Sequence, residues 1–156
     1  MLYVIMFAIL VFLDQLTKIL SLEYLTHKGV TLIEGVLSLS FVRNTGAAWG
    51  IFAGKTFFLV LITVVIFGVG FMYFYKNPPK NAIYKTAIML VASGGIGNMI
   101  DRIFRDGSVI DMIKVDFIDF PVFNVADICV CVGAVLLCIA ILFFDKEKDE
   151  ETDDGE

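Results

Sequence analysis

The chain has few of the residues that build metal, redox or nucleophilic sites. It contains one histidine, His27, and three cysteines. The cysteines form no CxxC pair and fall together in the last apolar run, as Cys129, Cys131 and Cys138. This pattern argues against a zinc site and against a disulfide framework. We therefore expect no metal and no cofactor, and we interpret the cysteines as small buried apolar residues.

Charge is also scarce, because 19% of the residues are charged and 58% are hydrophobic. A mean hydropathy of +0.85 is too high for a soluble domain of this length. Residues 145–156 carry eight acids and two lysines, whereas residues 1–144 carry nine acids and ten basic residues. No basic stripe exists, so we expect no nucleic acid partner. We predict a membrane domain over 1–144 and an acidic, disordered cytoplasmic tail over 145–156.

Four apolar segments are close to the 20 residues or so that cross a bilayer as a helix. They cover residues 2–22, 57–75, 83–103 and 123–144. The first lacks a basic start and a cleavage site, so we interpret it as a retained span and not as a signal peptide. Glycines in the third span permit close helix packing, which predicts a central place for it. The predicted fold is an all-α integral membrane protein with a four-helix bundle.

The connections between the spans predict the orientation of the bundle. Residues 76–85 carry three lysines and no acid, which places this connection in the cytoplasm together with both termini. The other two connections then face outward. In the first of these, residues 31–42 alternate between apolar and polar around Gly35, which predicts a small extracytoplasmic β hairpin or sheet.

Polar side chains from three spans are expected at one level near the outer surface. A charge at a helix centre costs roughly 2.5 to 3.5 kcal/mol on insertion scales, so such groups normally face a protein interior. Asp14 and Lys18 are spaced to pair on one helix face. The other members are Asn98, Asp101, Arg102 and Asp127. Two neighbouring acids cannot both ionise easily, and such a pair can share a proton and activate water.

Other interpretations of these residues stay open at this point. Asp127 could cap its helix, and Asp101 could pair with Arg102. A small proton-coupled transporter would also place carboxylates in its spans, although no inverted repeat is visible. In a structural subunit of a membrane complex, Asp14 and Lys18 would instead pair with partner helices.

Five sequence blocks together resemble a known family. The blocks are Asp14–Lys18, Asn44–Gly50, Gly94–Arg102, Val109–Asp111 and Phe123–Asp127. In this order, with four spans between and around them, they resemble the lipoprotein signal peptidases, the membrane aspartyl proteases of bacteria also called signal peptidase II. The resemblance implies cleavage of diacylglyceryl-modified prolipoproteins just before the lipid-modified cysteine. It also implies a multi-pass protein of the bacterial inner or plasma membrane, surrounded by membrane lipid, with its site near the extracytoplasmic face; we expect a monomer.

The resemblance also assigns roles to residues of this chain. It implies a catalytic dyad of Asp111 and Asp127 and a supporting pair of Asp14 and Lys18. The residues it implies for substrate binding are Asn44, Asn98, Arg102 and Asn124. A second block around Asp116 looks similar to the block around Asp111. Asp111 is preferred because it follows Asp101 by ten residues and comes after the Gly107 turn, and Asp116 is the alternative.

Two aromatic residues of the first outer connection suggest a further hypothesis about substrate binding. Trp49 and Phe52 lie in the first outer connection, where they could clamp the substrate peptide against the site.

Overall fold

Four helices and a three-stranded antiparallel sheet make up the described part of the chain. The structure is a computed structural model, and it describes residues 1–79 and 81–144. In chain order the elements are α1 (Leu2–Tyr24), β1 (Val30–Ile33), β2 (Leu37–Asn44), a 3-10 turn (Ala48–Gly50), α2 (Thr56–Lys76), α3 (Ala82–Phe104), β3 (Val109–Val115) and α4 (Val125–Phe144). The predicted fold class is confirmed, and the helix bounds agree within two residues. The predicted acidic tail lies outside the described residues.

All four helices are long and apolar enough to cross a membrane. Helix α3 contacts each of the other three, as its glycines predict, and its closest neighbour is α4. A Cβ atom at Gly94 would lie 2.2 Å from the carbonyl oxygen of Ala126, and one at Gly133 would lie 2.8 Å from the side chain of Val91. The backbones of α3 and α4 therefore lie in close contact at these glycines. This close approach brings the ends of the two helices together.

The sheet follows the strand order β1-β2-β3. The predicted hairpin is confirmed, with Gly35 between β1 and β2 at a φ of 70°. The third strand was not predicted. In β3, Asp111 is the partner of Val42 and Val109 is the partner of Asn44. A bridge between Ile113 and Phe123 joins β3 to the segment that leads into α4.

The interpretation of the cysteines as buried residues is only partly right. Cys129 is buried, whereas Cys131 and Cys138 are exposed on the isolated chain. The reason is geometric, because α4 uses one face to pack on α3 and α1 and its remaining surface points away from the bundle.

Candidate active site

A buried lysine joins α1 to α3 at one end of the bundle. Lys18 is fully buried, and its Nζ lies 2.9 Å from Asp14 Oδ2 and 3.2 Å from Asp101 Oδ2. The same ammonium donates to Asn98 Oδ1 at 2.9 Å. Three acceptors thus satisfy a cation that would be costly to bury alone. Asp14 in turn accepts from the backbone N–H of Ala126 at 3.0 Å, which ties α1 to the first turn of α4.

Asp101 has a structural role that the sequence did not reveal. Besides Lys18 it pairs with Arg105, and it accepts from Gln15 Nε2 at 3.0 Å. It also accepts from the backbone N–H of Ile110 at 3.0 Å and so fixes the start of β3 next to Asp111. The Asp101–Arg102 pairing is wrong, because successive helix residues point in different directions and Asp101 faces α1. The i,i+4 spacing of Asp101 and Arg105 was the signal that could have identified its partner.

Asn124 and Asp127 close the N-terminus of α4 with a reciprocal pair of hydrogen bonds. The backbone N–H of Asp127 donates to Asn124 Oδ1 at 2.9 Å, and the backbone N–H of Asn124 donates to Asp127 Oδ2 at 3.1 Å. This is a capping box with asparagine and aspartate in its two positions. Asp127 thus does cap its helix, and its Oδ1 also accepts from Asn98 Nδ2 at 2.8 Å. These donors hold the Asp127 carboxyl group in place in the first turn of α4.

Asn124 links Asp127 to Asp111. Its Nδ2 donates to Asp111 Oδ1 at 2.6 Å, while Asn44 Nδ2 donates to Asp111 Oδ2 at 3.0 Å. Asp111 is 2% exposed. Burial raises the pKa of the Asp111 carboxyl to about 6, and the nearby charge of Asp127 acts in the same direction. The hydrogen bonds from Asn44 and Asn124 and the charge of Lys18 partly oppose this rise in pKa.

Asp116, the alternative to Asp111, lies in a different environment. Its Oδ1 is 3.0 Å from Lys114 Nζ and accepts from Ser38 Oγ at 3.0 Å. These two hydrogen bonds lower the pKa of the Asp116 carboxyl. It follows β3 at the far end of the strand from Asn44, and Asp111 alone of the two is bonded to Asn124.

The segment between β2 and α2 folds over the same end of the bundle. Arg102 Nη2 donates to the carbonyl oxygen of Gly46 at 2.9 Å, and the N–H of Gly46 donates to Asn44 Oδ1 at 2.9 Å. Among the described residues, the buried Nε of Arg102 has no hydrogen-bond partner. Trp49 is 70% exposed and Phe52 49% exposed. Both have positive φ, at 54° and 60°, which is uncommon for bulky side chains and often marks functional segments.

The structure therefore brings all eight predicted site residues into one hydrogen-bonded cluster. Asp111 and Asp127 share Asn124, and Asn98 connects Asp127 to Lys18. Arg102 joins through the Gly46 backbone. Two further members, Gln15 and Asp101, were given no role in the site, although Asp101 was expected among the polar side chains at this level. Their part in the cluster depends on which helix faces pack together, which the sequence pattern leaves open.

The fold and this cluster define a class of protein. The chain is a multi-pass membrane protein that holds two linked aspartates at one end of its helix bundle. A family model described as "Signal peptidase (SPase) II" matches residues 6–143. The chain belongs to the signal peptidase II family, and it is a membrane peptidase.

Individual relatives and a solved structure agree with the family match. A protein of Clostridium acetobutylicum named "Lipoprotein signal peptidase" is 39% identical over 146 residues, 91% of this chain and 94% of the relative. A relative with the same name from Streptococcus pyogenes serotype M5 is 42% identical and covers 95% of each chain. A solved "Bacterial membrane enzyme structure" at 2.3 Å has a TM-score of 0.81 and 32% identity. It covers 99% of this chain, which in turn covers 91% of that structure.

Proposed function

We propose that this protein removes signal peptides from prolipoproteins, and that Asp111 and Asp127 are its catalytic dyad. Family membership supports the reaction, since the curated relatives carry the name lipoprotein signal peptidase. The observation that carries the assignment of the dyad is the Asn124 side chain and backbone, which bond to both carboxylates at once. The proposed cleavage point is the peptide bond just before the lipid-modified cysteine.

The two aspartates have environments suited to different roles. Asp127 has hydrogen-bond donors and a helix N-terminus around its carboxylate, so it is the proposed general base. It takes a proton from the attacking water while the water oxygen bonds to the scissile carbonyl carbon. Asp111, with its raised pKa, is the proposed proton carrier that polarises the carbonyl oxygen. When the carbon–nitrogen bond of the resulting tetrahedral intermediate breaks, Asp127 passes the proton it took from water to the leaving amine. Asp111 keeps its own proton, so both carboxyl groups return to their starting state.

Other polar residues would position the peptide. Because the Nε–H of Arg102 finds no acceptor within the described residues, its proposed partner is a carbonyl oxygen of the bound peptide. Asn98 and Asn124 already hold the aspartates, so their proposed contribution is to fix the carboxylates rather than to grip the substrate. Asn44 connects Asp111 to the segment that carries Trp49. This segment is the proposed clamp, with Trp49 against the peptide; unchanged KM and kcat in Trp49→Ala would contradict it.

The test is cleavage of a diacylglyceryl-modified precursor peptide by the purified full-length protein in detergent, followed by mass spectrometry. Asp111→Asn and Asp127→Asn should each lower kcat by at least about 100-fold, because each removes one partner of the proton transfer. Asp116→Asn is the matched control, since Asp116 is an acid directly after β3 and outside the cluster, and its rate should stay within about twofold of wild type. Chelators should leave the wild-type rate unchanged.

The variants distinguish a wrong choice of the first aspartate from a wrong mechanism. Activity that survives in Asp111→Asn but is lost in Asp116→Asn would move the first aspartate to residue 116. Activity that survives in both Asp111→Asn and Asp127→Asn would refute the two-aspartate chemistry. Thermal unfolding of each variant in detergent checks that a loss of activity is not a loss of fold.

A further inference from the structure

We propose that a cavity that opens at the other end of the bundle holds an anionic phospholipid of the surrounding membrane. The cavity lies between α2 and α3 and has a volume of about 760 Å³. The lining extends along α3 from Lys85 to Ile96, about 16 Å at 1.5 Å per residue. Lys85 is about 20 Å along the same helix from Asn98, so the cavity mouth is remote from the aspartates.

The cavity exists because α2 touches the bundle at few places. Helix α2 packs mainly against α3. At Gly95 the ring of Phe67 fills the space where a side chain would lie, and a Cβ there would be 2.3 Å from Phe67 Cζ. Beyond that contact Gly70 lines the cavity, and a Cβ at this position would meet no atom within 4 Å. The space is thus open to a ligand and is not closed by side chains.

The lining matches a fatty-acyl chain. It consists almost wholly of apolar and aromatic side chains, with Phe71, Phe74, Ile88 and Met89 among them. Such a surface in contact with lipid offers dispersion contacts to a flexible hydrocarbon chain, and the tyrosines and the lysine of its lining, Tyr3, Tyr75 and Lys85, lie near the ends of α1, α2 and α3.

The mouth of the cavity indicates the charge of the head group. Lys85 lies in the first turn of α3 and lines the cavity. Within residues 1–79 and 81–144 its ammonium group has no ion-pair partner. Lys76 ends α2 nearby in sequence, and the N-terminus of α3 adds partial positive charge. Basic pockets between membrane helices are typical binding sites for anionic head groups.

A signal peptide is the competing occupant, and charge disfavours it. Signal peptides begin with a positively charged region before their apolar segment. That region would meet Lys85 and the lysine-rich connection with like charge, whereas a phosphate would be attracted. An anionic phospholipid is therefore the favoured occupant of the cavity, and this assignment does not depend on the peptidase chemistry.

The experiment is native mass spectrometry of the full-length protein in detergent with added phosphatidylglycerol or phosphatidylcholine. Wild type should retain one phosphatidylglycerol about fivefold more strongly than phosphatidylcholine, the ratio expected for one lysine near a head group. Lys85→Gln should remove that preference while binding of both lipids continues. Gly70→Leu should fill the cavity and abolish retention of this lipid. Gly68→Leu is the matched control, since it adds the same side chain two residues away, outside the lining, and should bind as wild type does.

Three results would overturn the proposal. Equal retention of the two lipids by wild type would remove the head-group assignment. Retention by Gly70→Leu at the wild-type level would place the lipid elsewhere. If Gly70→Leu raised KM for the precursor peptide and left lipid retention unchanged, the cavity would be a signal-peptide site. Thermal unfolding of the Gly70→Leu and Gly68→Leu variants separates loss of the lipid from loss of the fold.

Discussion

At the scale of single residues, the proton on Asp111 ties the proposed reaction to pH. Its pKa of about 6 lies above the usual aspartate value, so the carboxyl keeps its proton below that pH and loses it above. Because the proposed chemistry needs this proton, we expect kcat/KM to fall as the pH rises through about 6. Bound substrate should exclude water from the site and so raise the pKa of Asp111 further. The corresponding fall in kcat should therefore lie at higher pH than the fall in kcat/KM. Initial rates measured across pH 4 to about 9 test both limbs.

Replacing Asn44 should change the pH at which kcat/KM falls. Its hydrogen bond lowers the pKa of Asp111, so Asn44→Ala should shift the fall in kcat/KM to higher pH. Ser38→Ala is the matched control, because Ser38 makes a bond of the same length to Asp116. A limb that stays in place in Asn44→Ala, or that moves in Ser38→Ala, would contradict the assignment of the titrating group.

Lys18 illustrates how burial changes the contribution of an ion pair to the stability of the fold. Lys18→Met would leave Asp14 and Asp101 buried without their shared cation, which typically costs about 3–5 kcal/mol. We expect a fall in Tm on the order of 10 °C, measured by thermal unfolding in detergent. Lys114→Met breaks a pair in which the lysine is half exposed, so its Tm should hardly change. Similar Tm values for the two variants would argue against a stabilising role for the buried cluster.

At the scale of elements, the helix contacts determine where Asp127 lies. Gly94→Ala would add a methyl group 2.2 Å from the Ala126 carbonyl oxygen, a backbone atom that cannot move aside without shifting α4. Overpacking of this kind costs about 1–3 kcal/mol, and here it would also displace Asp127. We expect lower Tm together with lower kcat. Gly68→Ala meets no atom within 4 Å and should change neither, so equal effects of the two substitutions would refute this account.

The sequence predicted the elements that carry a strong periodic signal. Long apolar runs predict the four helices, and the alternation around Gly35 predicts the hairpin. Strand β3 was missed because its run from Val109 to Val115 is short and pairs with a strand distant in sequence. The role of Asp101 in the site was missed for a related reason, since its partners Lys18 and Ile110 come from other elements. Family motifs supplied the roles of Asp111 and Asp127, which composition and spacing alone left open.

At the scale of the whole molecule, the aspartate cluster and the mouth of the cavity lie at opposite ends of one bundle. The sheet and the aspartate cluster share one end, while Lys76 and Lys85 lie at the other. Positive connections stay in the cytoplasm, so the aspartates should lie toward the outer face. A lipid-anchored precursor could then keep its acyl chains in the bilayer while its peptide reaches the dyad from the outer side.

This orientation can be tested with single cysteines on a background in which Cys129, Cys131 and Cys138 are replaced by alanine. A membrane-impermeant maleimide added to intact cells should label a cysteine at Lys28, between α1 and β1, because that connection is expected outside. A cysteine at Asn77, which follows α2, should react only after the cells are opened, because its connection is the lysine-rich one. Both positions are exposed, so a difference in labelling reports the side of the membrane and not burial. The reverse pattern would place the aspartates on the cytoplasmic side, where an exported precursor could not meet them after crossing.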